Sequence, residues 1–178
     1  MTVPLVYKAN PKSAGQLGKF SCGVSQLQVT DARTEKTLGV RTHESKPLRA
    51  DVSAGSDPAV WVRDGVQTYL GQNGLSTAAS GPQLRVSLEK LRTSESIWHR
   101  SSYEAHVFLT AQLQGAAGKE CWKGSAEGAG DNYGYAGSIV NYQETLNSAL
   151  DAATLQLAQS PGFQGALCSC GPAASARR

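Results

Sequence analysis

The chain has 178 residues, with 17 Lys and Arg against 14 Asp and Glu for a net charge of +3, and 40 % of its residues are hydrophobic. A chain of this length buries roughly two thirds of the surface its unfolded form exposes, which excludes a mini-domain that depends on zinc or a dense disulfide framework. Apolar stretches are broken by Asp, Lys, Gln or Ser every few positions, so no membrane-spanning helix is expected, and the near-neutral middle argues against nucleic acid as a partner.

The sequence opens MTVPLVYKAN, without a basic segment leading into an apolar one, so as it stands it carries no secretory leader; it is compatible with a mature form to which Met1 was added. Cys22, Cys121, Cys168 and Cys170 are the disulfide candidates, and four cysteines allow three pairings. A bridge between Cys22 and Cys121 is conceivable, with Cys168 and Cys170 left as a tail disulfide or two free thiols. The single-residue gap of Cys168-Ser169-Cys170 matches neither a zinc knuckle nor a thioredoxin-like pair, so no metal or cofactor is expected.

Residues 1–20, with Pro4, Pro11, Gly15 and Gly18, read as an extended lead-in running along the body, in which Val3, Leu5 and Tyr7 alternate as a short edge strand would. Residues 21–165 form the single domain. Its first strand spans 24–30, and two short strands, 38–42 and 48–53, flank a polar turn at 43–47. Asp57 and Pro58 suit the N-cap and first turn of a helix over 58–73, whose Val62, Val66, Tyr69 and Leu70 make one apolar stripe and which Gly74 stops. Leu84, Val86 and Leu88 begin a period-two run that continues through Leu91. Tyr103, Ala105, Val107, Leu109, Ala111 and Leu113 then alternate strictly with polar residues as a long, half-buried strand. The polar stretch 93–102 reads as an extended hairpin tip between these two, and a third strand over 120–128 completes a meander. The glycines of 124–137 read as a crossing to the last helix, or as a mobile loop whose Tyr133 and Tyr135 touch a partner. That helix spans 138–159, with Leu146, Leu150, Ala153 and Leu157 on one face, and Pro161-Gly162 ends it. Residues 166–178 read as a flexible, cysteine-containing tail, with 171–178 disordered. The expected fold is α+β, a two-layer sandwich of a mostly antiparallel sheet with two helices packed on one face.

Val29-Thr30-Asp31-Ala32-Arg33 closing the first strand, Leu38-Gly39-Val40-Arg41, the helix end Tyr69-Leu70-Gly71-Gln72-Asn73-Gly74-Leu75 and the strand Leu84-Arg85-Val86-Ser87-Leu88-Glu89-Lys90-Leu91 resemble the YajG-like lipoproteins of Gram-negative bacteria over residues 3–160. That resemblance implies a small periplasmic protein, anchored to the outer membrane through an acylated N-terminal cysteine, with no catalytic residues to carry over. The sequence departs from the pattern at its start: there is no lipobox, and Cys22 follows Phe20-Ser21.

Asp31, Arg33 and Glu35 read as a solvated turn, the alternatives being a recognition loop or an acid–base carboxylate pair. His43, His99 and His106 lie in three separate segments without metal-ligand spacing. The tip holding Ile97, Trp98 and Arg100 places aromatic and cationic groups where interface anchors are favoured, unless Trp98 folds back onto the sheet; Trp61 is ambiguous in the same way. The Gly-rich segment lacks the Gly-Lys-Ser/Thr of a phosphate loop, and no Gly-x-Ser-x-Gly elbow is present. The function expected is that of a noncatalytic accessory or scaffold domain whose partner is a cell-envelope protein, with a lipid or glycan ligand second. The alternatives are a carrier holding an apolar ligand in a cavity lined by Val62, Val66, Leu109 and Leu150, and a hydrolase with an unrecognised site.

Overall fold

A computed structural model describes residues 1–115 and 118–170. Strands Thr2–Val3 (β1), Gln26–Asp31 (β2), Thr37–His43 (β3) and Arg49–Ala54 (β4) precede helix Pro58–Gln72 (α1). The meander Gln83–Ile97 (β5), Ser101–Gln114 (β6) and Glu120–Gly134 (β7) follows, then helices Ile139–Gln159 (α2) and Phe163–Ser169 (α3). The helix starts obey capping chemistry: the Asp57 carboxylate accepts from Ala59 N at 2.8 Å, and Ser138 Oγ accepts from Asn141 N at 3.2 Å.

The fold is α+β, but the sheet is mixed rather than mostly antiparallel. Its order is β1-β4-β3-β5-β6-β7, with β2 also paired to β5. β1 runs parallel to β4, and β2 and β3 both run parallel to β5. The last two share one edge of that long strand, β2 against Gln83–Leu88 and β3 against Thr93–Ile97. Residues 32–36 step out between them, so β2 and β3 act as one interrupted strand, and β4 followed by α1 is the connection that brings the chain back as β5, parallel to both.

Helix α2 lies against β7 at backbone distance. A Cβ on Gly128 would collide with Ala149 O and Ala153 N, and one on Gly130 with Thr145 O, so only glycine lets helix and strand approach this closely. Gly124, Gly128, Gly130 and Gly134, expected in a crossing or a mobile loop, are therefore part of β7, while Gly137 does lie in the crossing to α2. The opposite side of α2 meets the lead-in. Gln143 Nε2 donates to Pro4 O at 3.0 Å, Asn147 Nδ2 to Val6 O at 3.2 Å, and the Tyr7 hydroxyl to Asp151 at 2.7 Å. Leu5 and Leu17 of the lead-in are buried, the Leu17 amide donating to Asn73 Oδ1 at the end of α1 at 3.0 Å. Trp61 of α1 is buried too, its Nε1 donating to Asn147 Oδ1 at 2.9 Å.

The C-terminal region differs from a flexible tail. Residues 163–169 form α3, Phe163, Ala166 and Leu167 are buried, and Cys170 is buried after them. The described residues thus hold three α-helices where two were expected. Cys22 pairs with Cys168, and Cys121 with Cys170, which displaces both the Cys22–Cys121 bridge and the tail bridge. Residues 171–178 lie outside the described residues.

Candidate functional site at the aromatic end

The β5–β6 hairpin is built by a change of phase. The register slips between Leu88 and Lys90, so the inward set shifts from Leu84, Val86 and Leu88 to Leu91, Thr93, Glu95 and Ile97. Two consequences follow. Residues 93–97 are strand rather than hairpin tip, which leaves a tight turn at 98–100, and a carboxylate, Glu95, is placed in the interior with no side-chain exposure.

Donors from four elements enclose Glu95. Arg41 Nε of β3 reaches Oε2 at 2.5 Å and the Tyr142 hydroxyl of α2 reaches the same oxygen at 2.9 Å. The Tyr103 hydroxyl of β6 donates to Oε1 at 3.0 Å, and Gly137 N, in the loop before α2, donates to it at 2.7 Å. Burial pushes the Glu95 pKa up, but the bonds from the Gly137 amide, Tyr142 and Arg41 outweigh it and hold the group below the ordinary carboxylate range. Burial and the Glu95 carboxylate together raise the Tyr103 and Tyr142 hydroxyls. The Tyr103 hydroxyl accepts from Ser138 N at 3.0 Å, and the Tyr135 carbonyl is the alternative acceptor for its single proton. Residues 135–138 are thereby fastened to the sheet from below. Ser101 Oγ, fully buried beside the carboxylate, has no partner in hydrogen-bonding geometry.

Above this floor the side chains face outward. Trp98 is 63 % exposed, Tyr133 71 % and Tyr135 90 %, with Trp98 stacked on His99 at 5.6 Å between centroids. Arg100 is exposed and forms no ion pair among the described residues. Ile97, expected on the surface, is 8 % exposed because the phase change turns it inward. A cleft of about 550 Å³ lies between the β5–β6 turn and the end of β7, lined by Trp98, Arg100, Ser101, Tyr133 and Tyr135 among others. The structure thus brings Trp98, Arg100, Tyr133 and Tyr135 together at one end.

The remaining polar candidates stand apart. Arg33 Nε and Nη2 grip the Asp31 carboxylate at 2.8 and 3.0 Å, and this bonding lowers the Asp31 pKa to about 2. The turn is local, as its residues suggest, but the Arg33 side chain is buried rather than solvated, at 3 % exposure. Glu35 pairs with Arg92 at 3.0 Å on the surface. His43 accepts from Ser45 N, His99 lies on Trp98 and His106 faces Glu127 at 3.2 Å, three separate places. Among the described residues no three His, Cys, Asp or Glu side chains converge.

No known family model matches the chain, and no curated protein matches it. Among solved structures it is similar to XCC0632 of Xanthomonas campestris, a DUF330 protein, at 11 % identity and a TM-score of 0.51, covering 95 % of each chain. These two chains share a fold. It is also similar to a "putative lipoprotein" from Caulobacter crescentus CB15, at 19 % identity and a TM-score of 0.41 over 61 % of this chain and 78 % of that one. An uncharacterized protein matches at 9 % identity and a TM-score of 0.46, over 89 % and 98 %.

Proposed function

We propose that the protein is a noncatalytic accessory domain of the Gram-negative cell envelope, of the YajG-like lipoprotein kind, that works by docking its aromatic end onto another envelope component. The observation that carries this reading is the convergence of Trp98, Tyr133 and Tyr135, each more than 60 % exposed, on a floor fixed by the Glu95 network. Large aromatic side chains held rigidly in water are costly unless a partner covers them. The pairing of all four cysteines supports an oxidising compartment such as the periplasm. A binding role fits the state of Glu95 better than an acid–base role, because its lone pairs are already taken by four donors. Against an apolar-ligand carrier stands the packing between helices and sheet. Val62, Val66, Leu109 and Leu150 are at most 1 % exposed, and the cavity lined by Val66, Leu84, Val86 and Phe163 holds about 10 Å³, no more than a single water needs.

The test is co-sedimentation of the purified protein with a total Gram-negative envelope fraction, which contains both envelope proteins and bilayer. Replacing Trp98, Tyr133 and Tyr135 together by Ser is expected to lower the bound fraction at least about tenfold while leaving the melting temperature within about 2 °C, since the three side chains are on the surface. Equal sedimentation of the triple variant would refute the reading.

A further inference from the structure

We infer that the component docked by the aromatic end is the surface of an anionic phospholipid bilayer, a reading that rests on the aromatic end being the binding surface. Three observations carry it.

The first is side-chain chemistry. Trp and Tyr present an apolar body and a polar tip, the combination favoured at the boundary between headgroups and hydrocarbon. Leu48, 41 % exposed, and Ile139, 42 % exposed, add aliphatic groups at the same end.

The second is placement. Residues 44–48 between β3 and β4, 98–100 between β5 and β6, and 135–138 between β7 and α2 all leave the sheet at one end, because His43 lies opposite Ile97 and Ser101 opposite Gly134. The strands they join, β4-β3-β5-β6-β7, stand side by side, so at ~4.8 Å per strand the tips span roughly 19 Å. A row of that width suits an extended surface.

The third is charge. Lys46 and Arg100 stand on these connections and Arg49 at the start of β4, against Glu44 as the acidic residue of the three segments. Cations beside interfacial aromatics are attracted to anionic headgroups.

The experiment uses the full chain and protein-free vesicles of phosphatidylcholine with phosphatidylglycerol. Trp98 is a built-in reporter: Trp61 is buried in α1 and Trp122 lies at the far end of β7 against Phe163. The expected result is sedimentation with phosphatidylglycerol vesicles, a blue shift of tryptophan emission that Trp98→Phe abolishes, and quenching by brominated acyl chains. The triple aromatic variant is expected to bind at least about tenfold more weakly. A Lys46→Glu, Arg49→Glu, Arg100→Glu variant is expected to lose at least about tenfold on anionic vesicles. Absence of vesicle binding, or binding without a change in Trp98 emission, overturns the inference. If vesicles are not bound while envelope sedimentation still needs the three aromatics, a protein partner occupies the surface and the bilayer is wrong; if neither needs them, the reading of the aromatic end itself falls.

Discussion

Replacing Glu95 by Gln changes little in volume and removes one charge, and the structure says what that costs. The carboxylate accepts from Arg41, Tyr142, Tyr103 and Gly137 N. An amide keeps one acceptor oxygen and turns the other position into a donor. If the NH₂ group faces Oε2's partners, the Tyr142 hydroxyl can rotate to accept from it, but Arg41 Nε cannot. If it faces Oε1's partners, the Gly137 amide is the group left without an acceptor. Either way a bond to a charged group is lost inside the protein, at about 1.5–3 kcal/mol, and a donor–donor contact is added, for a total of about 3 kcal/mol. In a chain of this length each kcal/mol moves the midpoint by roughly 2–4 °C, so thermal unfolding at pH 7 is expected to fall by about 6–12 °C. The exposed neighbour Glu104 is the control, and Glu104→Gln is expected to stay within about 0.5 kcal/mol. The pH dependence follows from the lowered Glu95 pKa. A carboxylate held below its unfolded value stabilises the fold above that value, about 4.3, and the contribution is lost as pH falls through the folded pKa. The gap between wild type and Glu95→Gln is therefore expected to narrow below about pH 4. A drop in midpoint of under 2 °C at pH 7, or a gap that does not change with pH, would refute the account of this network.

Other predictions test the remaining supports. Gly128→Ala forces a methyl into the α2 backbone and is expected to cost about 3 kcal/mol by urea unfolding, whereas Gly71→Ala, with nothing within 4 Å of the new atom, is expected to stabilise by about 0.5–1 kcal/mol. Thiol titration in denaturant is expected to find no free thiol before reduction and four after it. Cys22→Ser with Cys168→Ser opens a loop of 146 residues and Cys121→Ser with Cys170→Ser one of 49, so chain entropy predicts losses of about 5 and about 4 kcal/mol, the first pair melting lower. Asp31→Asn is expected to cost about 2 kcal/mol at pH 7, because the Arg33-bound carboxylate titrates near 2; this stabilisation is present above about pH 4 and disappears as pH falls through 2, which acid unfolding of the two proteins compares.

What the sequence made legible follows from local rules. Asp57-Pro58 and Gly74 bounded α1, and strict alternation from Tyr103 to Leu113 defined β6, because capping and strand period are properties of neighbouring residues. The misses have physical causes. Leu88 to Leu91 is a spacing of three inside a period-two run, and that break was the visible mark of the bulge that turns Glu95 and Ile97 inward. Gly128 and Gly130 looked like loop residues because glycine weakens an isolated strand, while their purpose here is to admit α2, a contact made with residues about 20 positions away. The parallel pairing of β2 and β3 on one edge, the cysteine pairing and the burial of α3 all depend on distant partners, which no local pattern encodes. Of the candidate site, Trp98, Arg100, Tyr133 and Tyr135 were visible as residues; their meeting at one end was not, nor was the Glu95 floor.

The two ends of the molecule are stabilised by different means, and this bears on how the aromatic end works. At the far end the covalent bonds gather: Cys121 begins β7, Cys170 sits against the end of β6, and Cys22 is tied to α3. At the aromatic end there is no disulfide, and the carboxylate of Glu95 joins β3, β6, α2 and the 135–138 loop through hydrogen bonds and its ion pair with Arg41. Exposed aromatics anchor a partner well only when their backbone is already ordered, since ordering on binding subtracts from affinity. The Tyr135 carbonyl and the Gly137 and Ser138 amides are the groups that the network holds. Glu95→Gln should thus loosen the segment that presents Tyr135 while leaving every exposed side chain in place. Its effect on docking separates preorganisation from contact: a variant that remains folded at 20 °C yet binds the envelope fraction several-fold more weakly indicates that the buried carboxylate acts as a positioning residue, and unchanged binding indicates that the surface side chains suffice.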